Sequence, residues 1–360
     1  MRLPTPTALF TLIAFLWGSG IACDSSDPDE APEPHKGLQM LRMPEGNWQS
    51  LRVQGAFLYL IDPHAGAWRL PWGETGADWR DLFANESVFP QGANASDFRQ
   101  LRVVGHANLN PNTLIASYDD EVWPTVFVSL NAGESWEEIE ELSYELSDGT
   151  TLFRSPIEFV SRGDSTIGLN PSYRISTLDG SSWSSLEYAD INFAGVFEQR
   201  ADSSPTVWAG MHPFFFDSPL YLWYSNDFGL SWNRTNPIVD AAGNRKVHSL
   251  GVGAINHGMV AVAVDAPEDE LYLTSDWGLS WSSIAPRQDC CRLVVSNPTT
   301  QGTLWASSGD SLFSSTDSGQ SWTIQELESE GAAEILDLAH GESADVLFIL
   351  TTSGLYQHTY

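Results

Sequence analysis

The chain has 360 residues, with 47 acids against 17 bases and a net charge of −30. Only Lys36 and Lys246 are lysines. Such a surface repels phosphate backbones and acidic lipid, which excludes nucleic acid as a partner and direct adhesion to an anionic membrane. Residues 1–22 read as an export signal. Arg2 supplies the positive start, 8–17 are mostly apolar, and Gly18-Ser19-Gly20-Ile21-Ala22 are small residues ahead of Cys23. The apolar run is too short to span a bilayer.

A Cys directly after small residues resembles a bacterial lipoprotein lipobox, which implies that Cys23 is acylated. Gly20 departs from that motif, which usually has Leu there, and Gly20 with Ala22 also suits ordinary signal peptidase. Residues 23–37 then form the lipidated Cys and an acidic tether. Asp24 to Gly37 (DSSDPDEAPEPHKG) has almost no apolar residue and cannot bury enough surface to fold. The expected location is the cell envelope or outer surface, or the medium if Cys23 stays unmodified.

The domain at 38–360 is written around one repeated phrase. Ser225 to Trp232 reads Ser-x-Asp-x-Gly-x-Ser-Trp. Thr274 to Trp281 and Ser315 to Trp322 match it, and Ser129 to Trp136 matches with Asn131 for Asp. Ser176 to Trp183 has Leu178 at the Asp place, and Trp72 to Trp79 has Glu74 there. Seven Gly-x-x-Trp pairs occur where chance gives about one, and six fall in this frame. A carboxylate here can accept N–H bonds within a tight turn, Gly supplies a positive φ, and Trp buries a large ring as the next strand begins. The phrase is a hairpin clasp.

Ser-x-Asp-x-Gly-x-Thr-Trp is the Asp-box, or BNR repeat, which this chain resembles over 38–360. The Asp-box occurs in sialidases, xyloglucan-processing glycoside hydrolases, sortilin-type receptors and photosystem II assembly factors. The resemblance implies an all-β fold: a seven-bladed β-propeller, with six blades the fallback. It implies structural roles for Glu74, Gly76 and Trp79; Asn131, Gly133 and Trp136; Gly180 and Trp183; Asp227, Gly229 and Trp232; Asp276, Gly278 and Trp281; and Asp317, Gly319 and Trp322. It does not choose a function, because enzymes, receptors and scaffolds share the motif.

Short β-branched and aromatic runs fill the repeats with strands A to D, counted outward from the axis. Blade one has B at 57–61 and C at 67–70, and Trp79 opens D. Blade two has A, B and C at 101–104, 113–117 and 125–129. Blade three has 157–160, 166–169 and 173–177. Blade four has 191–197, 206–210 and 220–225. Blade five has 247–252, 259–264 and 271–274. Blade six has 292–295, 303–306 and 311–315. Blade seven has 335–338, 346–351 and 355–359, but no D strand. Residues 46–51 (GNWQSL) resemble the second half of a box plus a strand, so the expectation is that this N-terminal segment closes the last blade and removes its open edges.

In an up-down blade, A–B and C–D turns share one face, and B–C and D–A connections share the other. Candidate binding residues therefore lie opposite the clasps. Blade two offers Asp119, Asp120, Glu121 and Trp123; blade four offers His212, Phe214, Phe215, Phe216 and Asp217. Exposed aromatics mark partner or sugar surfaces, although the three Phe could equally cap the blade core. The acidic loops, with a further one at 265–270, could hold Ca²⁺ but lack the spacing of a calcium loop, so no cofactor is expected. His106, His212, His248 and His257 show no metal spacing. Tyr173-Arg174-Ile175 resembles the Arg-Ile-Pro element of sialidases, but it follows two boxes and reads as strand C. Cys290 and Cys291 are adjacent and, in an exported protein, suit a vicinal disulfide. The sequence thus favours a monomeric, non-enzymatic module for a protein or glycan partner, touching membrane only through its lipid. The alternative is a glycoside hydrolase with carboxylates in a central funnel.

Overall fold

The computed structural model describes residues 38–360 apart from 63–65, 75, 85–100, 107–111, 119–124, 139–142, 146–150, 154–157, 163–164, 170–174, 180–181, 187–196, 200–204, 211–218, 239–245, 254–255, 257, 266–268, 288–289, 327–332 and 342–344. The described residues form strands and turns, without a helix. Seven four-stranded antiparallel sheets are present. Blade one is Ser50–Gln54, Phe57–Asp62, Gly66–Pro71 and Arg80–Asp81. Blade two is Leu101–His106, Leu114–Tyr118, Thr125–Ser129 and Glu137–Glu138. Blade three is Glu158–Arg162, Ser165–Leu169, Ile175–Asp179 and Ser182–Leu186. Blade four is Phe197–Gln199, Val207–Gly210, Leu222–Ser225 and Asn233–Arg234. Blade five is Lys246–Val252, Val260–Asp265, Glu270–Thr274 and Ser282–Ser283. Blade six is Leu293–Ser296, Leu304–Ser308, Ser311–Ser315 and Thr323–Glu326.

Six blades thus use four consecutive strands each, and the seventh joins the two ends of the described chain. Ile335–His340, Val346–Thr351 and Leu355–Thr359 supply its first three strands, and Leu38–Leu41 supplies the outermost. The first strands of the seven sheets touch in order and the last touches the first, so the ring closes as a β-propeller. The N-terminal strand does close the last blade, but it is not the 46–51 segment. Trp48 and Leu51 are buried against Val346, Phe348 and Leu350. Their apolar rings and methyls belong in the junction core, so Ser50–Gln54 becomes the innermost strand of blade one. A small hairpin, Ser143–Glu145 with Thr151–Phe153, lies between blades two and three and was not anticipated.

The period of a strand explains how the blades adhere. Successive side chains point to opposite faces, and each second strand has a neighbouring blade on both. In Phe57–Asp62, Leu58 and Leu60 pack toward blade seven, while Tyr59 and Ile61 pack toward blade two. In Val346–Thr351, Val346, Phe348 and Leu350 meet blade one, while Leu347 and Ile349 meet blade six. In Val260–Asp265, three valines face blade four and Ala261 and Ala263 face blade six. Those runs read as continuous apolar sequence because neither face meets water. Each fully buried Leu, Val or Phe contributes about 1.5–3 kcal/mol, so the cores between blades hold the ring together.

Candidate functional site

The clasps join the third and fourth strands, and four of them share one geometry. In blade four, the Ser225 hydroxyl donates to Asp227 Oδ1 at 2.8 Å and accepts the Gly229 N–H at 2.7 Å. Asp227 Oδ1 accepts the Ser231 N–H at 2.7 Å, and Oδ2 accepts the Ser231 hydroxyl. Thr274, Asp276, Gly278 and Ser280 repeat this in blade five, and Ser315, Asp317, Gly319 and Ser321 in blade six. In blade two Asn131 takes the Asp place, accepting the Ser135 N–H at 2.9 Å and donating to the Ser135 hydroxyl at 2.8 Å. Hydrogen bonds from the Ser280 hydroxyl and amide hold the Asp276 carboxyl down to about 2, and those from Ser321 do the same for Asp317. At Asp227 partial burial pushes upward, but the bonds from Ser231 and Ser225 outweigh it and the pKa is lowered. These acids are committed to turns.

Two consecutive residues in each of these clasps have positive φ. The glycines 133, 229, 278 and 319 lie at 88°, 84°, 76° and 81°, and the residues before them, Ala132, Phe228, Trp277 and Ser318, at 61°, 56°, 62° and 60°. The second left-handed residue had no sequence signal, since it is never Gly. Its N–H explains the conformation. Ala132, Phe228, Trp277 and Ser318 donate to the carbonyls of Asn112, Pro205, Gly258 and Gly302, at 2.7–3.0 Å. Those carbonyls lie in the A–B connections, so clasps and A–B connections share one side of the ring.

The clasp Trp and Gly also reach the preceding blade. Trp136 Nε1 donates to Leu82 O at 3.0 Å, Trp281 Nε1 to Asn236 O at 3.1 Å, and Trp322 Nε1 to Ile284 O at 2.7 Å. Each acceptor follows the outermost strand of the blade before. Trp79 does the same across the ring closure, donating to Arg42 O at 2.6 Å. Trp232 differs and donates within its own clasp to Gly229 O. A Cβ on Gly278 would stand 2.3 Å from Thr235 Cγ2, and one on Gly319 would stand 2.7 Å from Ile284 Cδ1. The glycines are therefore needed for contact between blades as well as for φ.

The degenerate copy in blade one keeps part of the geometry: Gly76 has φ of 79°, and the Ala77 N–H donates to the Glu74 carbonyl as Glu134 does to Asn131 and Leu279 to Asp276. In blade three Asp179 pairs with Ser182 and Leu178 with Trp183, so only two residues, Gly180 and Ser181, separate the strands. Gly180 itself lies outside the described residues.

The opposite side holds the connections that the sequence marks as binding candidates. Asp119, Asp120, Glu121, Trp123, His212, Phe214, Phe215, Phe216 and Asp217 lie outside the described residues, as does Cys23. What is described there is the rim of the inner strands. Three inner strands carry a bulge, at Leu101/Val103, Val247/Ser249 and Ile335/Asp337. After two of the bulges a polar side chain reaches the next blade. Ser249 Oγ donates to Val294 O at 2.7 Å, and Asp337 Oδ2 accepts from Leu51 N at 2.8 Å and Ser50 Oγ at 3.0 Å. Burial pushes the Asp337 carboxyl up to about 6, against the pull of those bonds. The extra residue His248 accepts from Arg292 Nε at 2.9 Å. Next to Arg292, Cys290 and Cys291 are disulfide-bonded and fully buried in the core between blades five and six.

Sequence reading also missed two groupings. The register aligns Arg52, Tyr59, Arg69 and Arg80 in one row across blade one. Arg69 is buried over the Phe57 ring of its own blade, and exposed Arg80 meets Glu134 of the next clasp at 3.5 Å. In blade seven Tyr360 stands where a clasp would begin. Its ring lies 4.8 Å from Trp305, and its hydroxyl accepts from Asn297 Nδ2 at 2.9 Å and meets His340 Nε2. His340 Nδ1–H donates to Gly341 O at 2.7 Å, which makes Nε2 the acceptor of the Tyr360 proton. Burial lowers the His340 pKa and favours that neutral form. Among the described residues no group of three or more His, Cys, Asp or Glu is placed to hold a metal.

Neither protein-family models nor curated proteins match this chain. Solved structures do. YCF48 bound to D1 peptide is 14% identical with a TM-score of 0.61, over 91% of this chain and 98% of that one. YCF48 from Cyanidioschyzon merolae is also 14% identical with a TM-score of 0.61, over 90% and 99%. PorZ, described as a surface component of the type-IX secretion system of Porphyromonas gingivalis, is 15% identical with a TM-score of 0.59, over 88% of this chain and 46% of that one. At such identities the likeness concerns the fold alone. This chain is similar to those proteins as a β-propeller.

Proposed function

We propose that this chain is an Asp-box propeller of the bacterial cell envelope, tethered by an acylated Cys23, that binds a protein or glycan partner on the side opposite its clasps. One observation carries the reading: the connections are unequal on the two sides. On the clasp side they are short, two to seven or eight residues between strands. On the other side, 82–100, 187–196, 211–221 and 235–245 separate successive strands and 139–157 carries the small hairpin, while the remaining B–C connections are two to six residues long. Long connections on a rigid scaffold are where binding residues concentrate. The Phe214-Phe215-Phe216 and Asp119-Asp120-Glu121 stretches belong to that side. YCF48, a propeller of similar size seen bound to D1 peptide, supports peptide binding as a use of this architecture.

The test is a peptide and glycan array with the mature chain, run beside a glycosidase screen. Ligand capture without turnover is expected, weakened about tenfold or more by replacing Phe214, Phe215 and Phe216 with Ser. Turnover of any glycan, abolished by changing loop-side acids, would replace the binding reading with the hydrolase one.

A further inference from the structure

The tether joins the ring at a defined place. Leu38 pairs with His358 and Leu41 with Leu355, so the closing strand runs antiparallel to Leu355–Thr359. In clasped blades the third strand ends, and the fourth begins, on the clasp side. Leu38 therefore lies at the clasp-side end of the outermost strand of blade seven, and residues 23–37 lead into it there.

A second observation points the same way. The large apolar side chains most exposed among the described residues are Met40, Leu130, Leu230, Leu279, Ile324 and Tyr360. Leu130, Leu230 and Leu279, at 60%, 60% and 70% exposure, sit on clasps. Tyr360 ends the third strand of blade seven on the same side, and Met40 and Ile324 lie on outermost strands. The clasp acids Asp227, Asp276 and Asp317 hold their charge well into acid. They disfavour an anionic surface and leave a zwitterionic one.

Resting on the tether reading above, we infer that the propeller meets a zwitterionic lipid surface with its clasp side, leaving the long connections facing away from the membrane. A spacer of fourteen residues, Asp24 to Gly37, can span at most about 45 Å. It joins the domain at Leu38, on the clasp side.

The full acylated chain is reconstituted in phosphatidylcholine vesicles carrying an acceptor-labelled headgroup. Single-cysteine variants take the donor dye: Leu230→Cys and Leu279→Cys on the clasp side, Asp310→Cys and Thr352→Cys in exposed B–C turns. Cys290 and Cys291 are buried in a disulfide and do not compete for dye. Energy transfer at positions 230 and 279 is expected to exceed that at 310 and 352 by at least twofold. Co-flotation with equal or reversed transfer would overturn the orientation and leave the tether standing. Failure to float with the vesicles, matched by Cys23→Ser, would remove the tether and the orientation with it.

Discussion

The clasped blades and the closing blade fasten an outermost strand by opposite means. In blades two, four, five and six the fourth strand follows the third through seven residues that bond among themselves and to the last residue of the third strand. The side-chain bonds that shape the turn span four positions or fewer, as in Ser315, Asp317, Gly319 and Ser321, and longer bonds from the Ser318 N–H and Trp322 Nε1 then anchor it. Blade seven has no such turn. Its outer strand comes from the other end of the domain and is held by pairing with Leu355–Thr359, by Trp79 on Arg42, and by the core around Phe348. A local fastening is written in one phrase and can be copied; a closure needs partners some 300 positions apart and is built once.

The largest effect should come from the closure. Phe348 is fully buried beside Trp72, with ring centroids 5.5 Å apart. Phe348→Ala should cost about 3–5 kcal/mol in urea unfolding. A loss below 1 kcal/mol would mean that the ring does not depend on this junction.

Two clasp glycines separate backbone conformation from packing. Gly76 has φ of 79° with open space around its Cβ position, whereas at Gly278, with φ of 76°, a Cβ would stand 2.3 Å from Thr235. Gly76→Ala should cost about 1–2 kcal/mol from φ alone. Gly278→Ala should cost about 2–4 kcal/mol, because overpacking against blade four is added. Equal costs would show that the clasp glycines act within their own blade only.

The smallest effect distinguishes the two kinds of acid by the sign of their pH dependence. Asp276 and Asp317 have folded values near 2, below the ordinary carboxylate value of about 4. Their contribution is present above pH 4 and lost as pH falls through about 2. Asp337, between blades seven and one, is raised to about 6. Its contribution is fully present below pH 4 and lost as pH rises through about 6. Urea midpoints measured from pH 4 to 7 should therefore fall less with rising pH in Asp337→Asn than in the parent chain. An unchanged slope would remove Asp337 as the source.

Asp227, Asp276 and Asp317 were legible as turn acids because their partners are two to four residues away. The roles of Trp136, Trp281 and Trp322 were half legible: burial could be read, but the carbonyls of Leu82, Asn236 and Ile284 belong to another repeat. Asp337 looked like any other surface acid among 47, since its partners Ser50 and Leu51 lie at the far end of the domain.

The amino-acid order by itself determined most of the strands, four of the clasps and their side of the ring, because turn chemistry and period-two burial act over fewer than ten residues. Tertiary structure alone decided that Leu38–Leu41 rather than 46–51 completes the last blade. Trp48 and Leu51 could have packed on either side of that junction. The core between blades one and seven, assembled from both ends of the domain, made the choice.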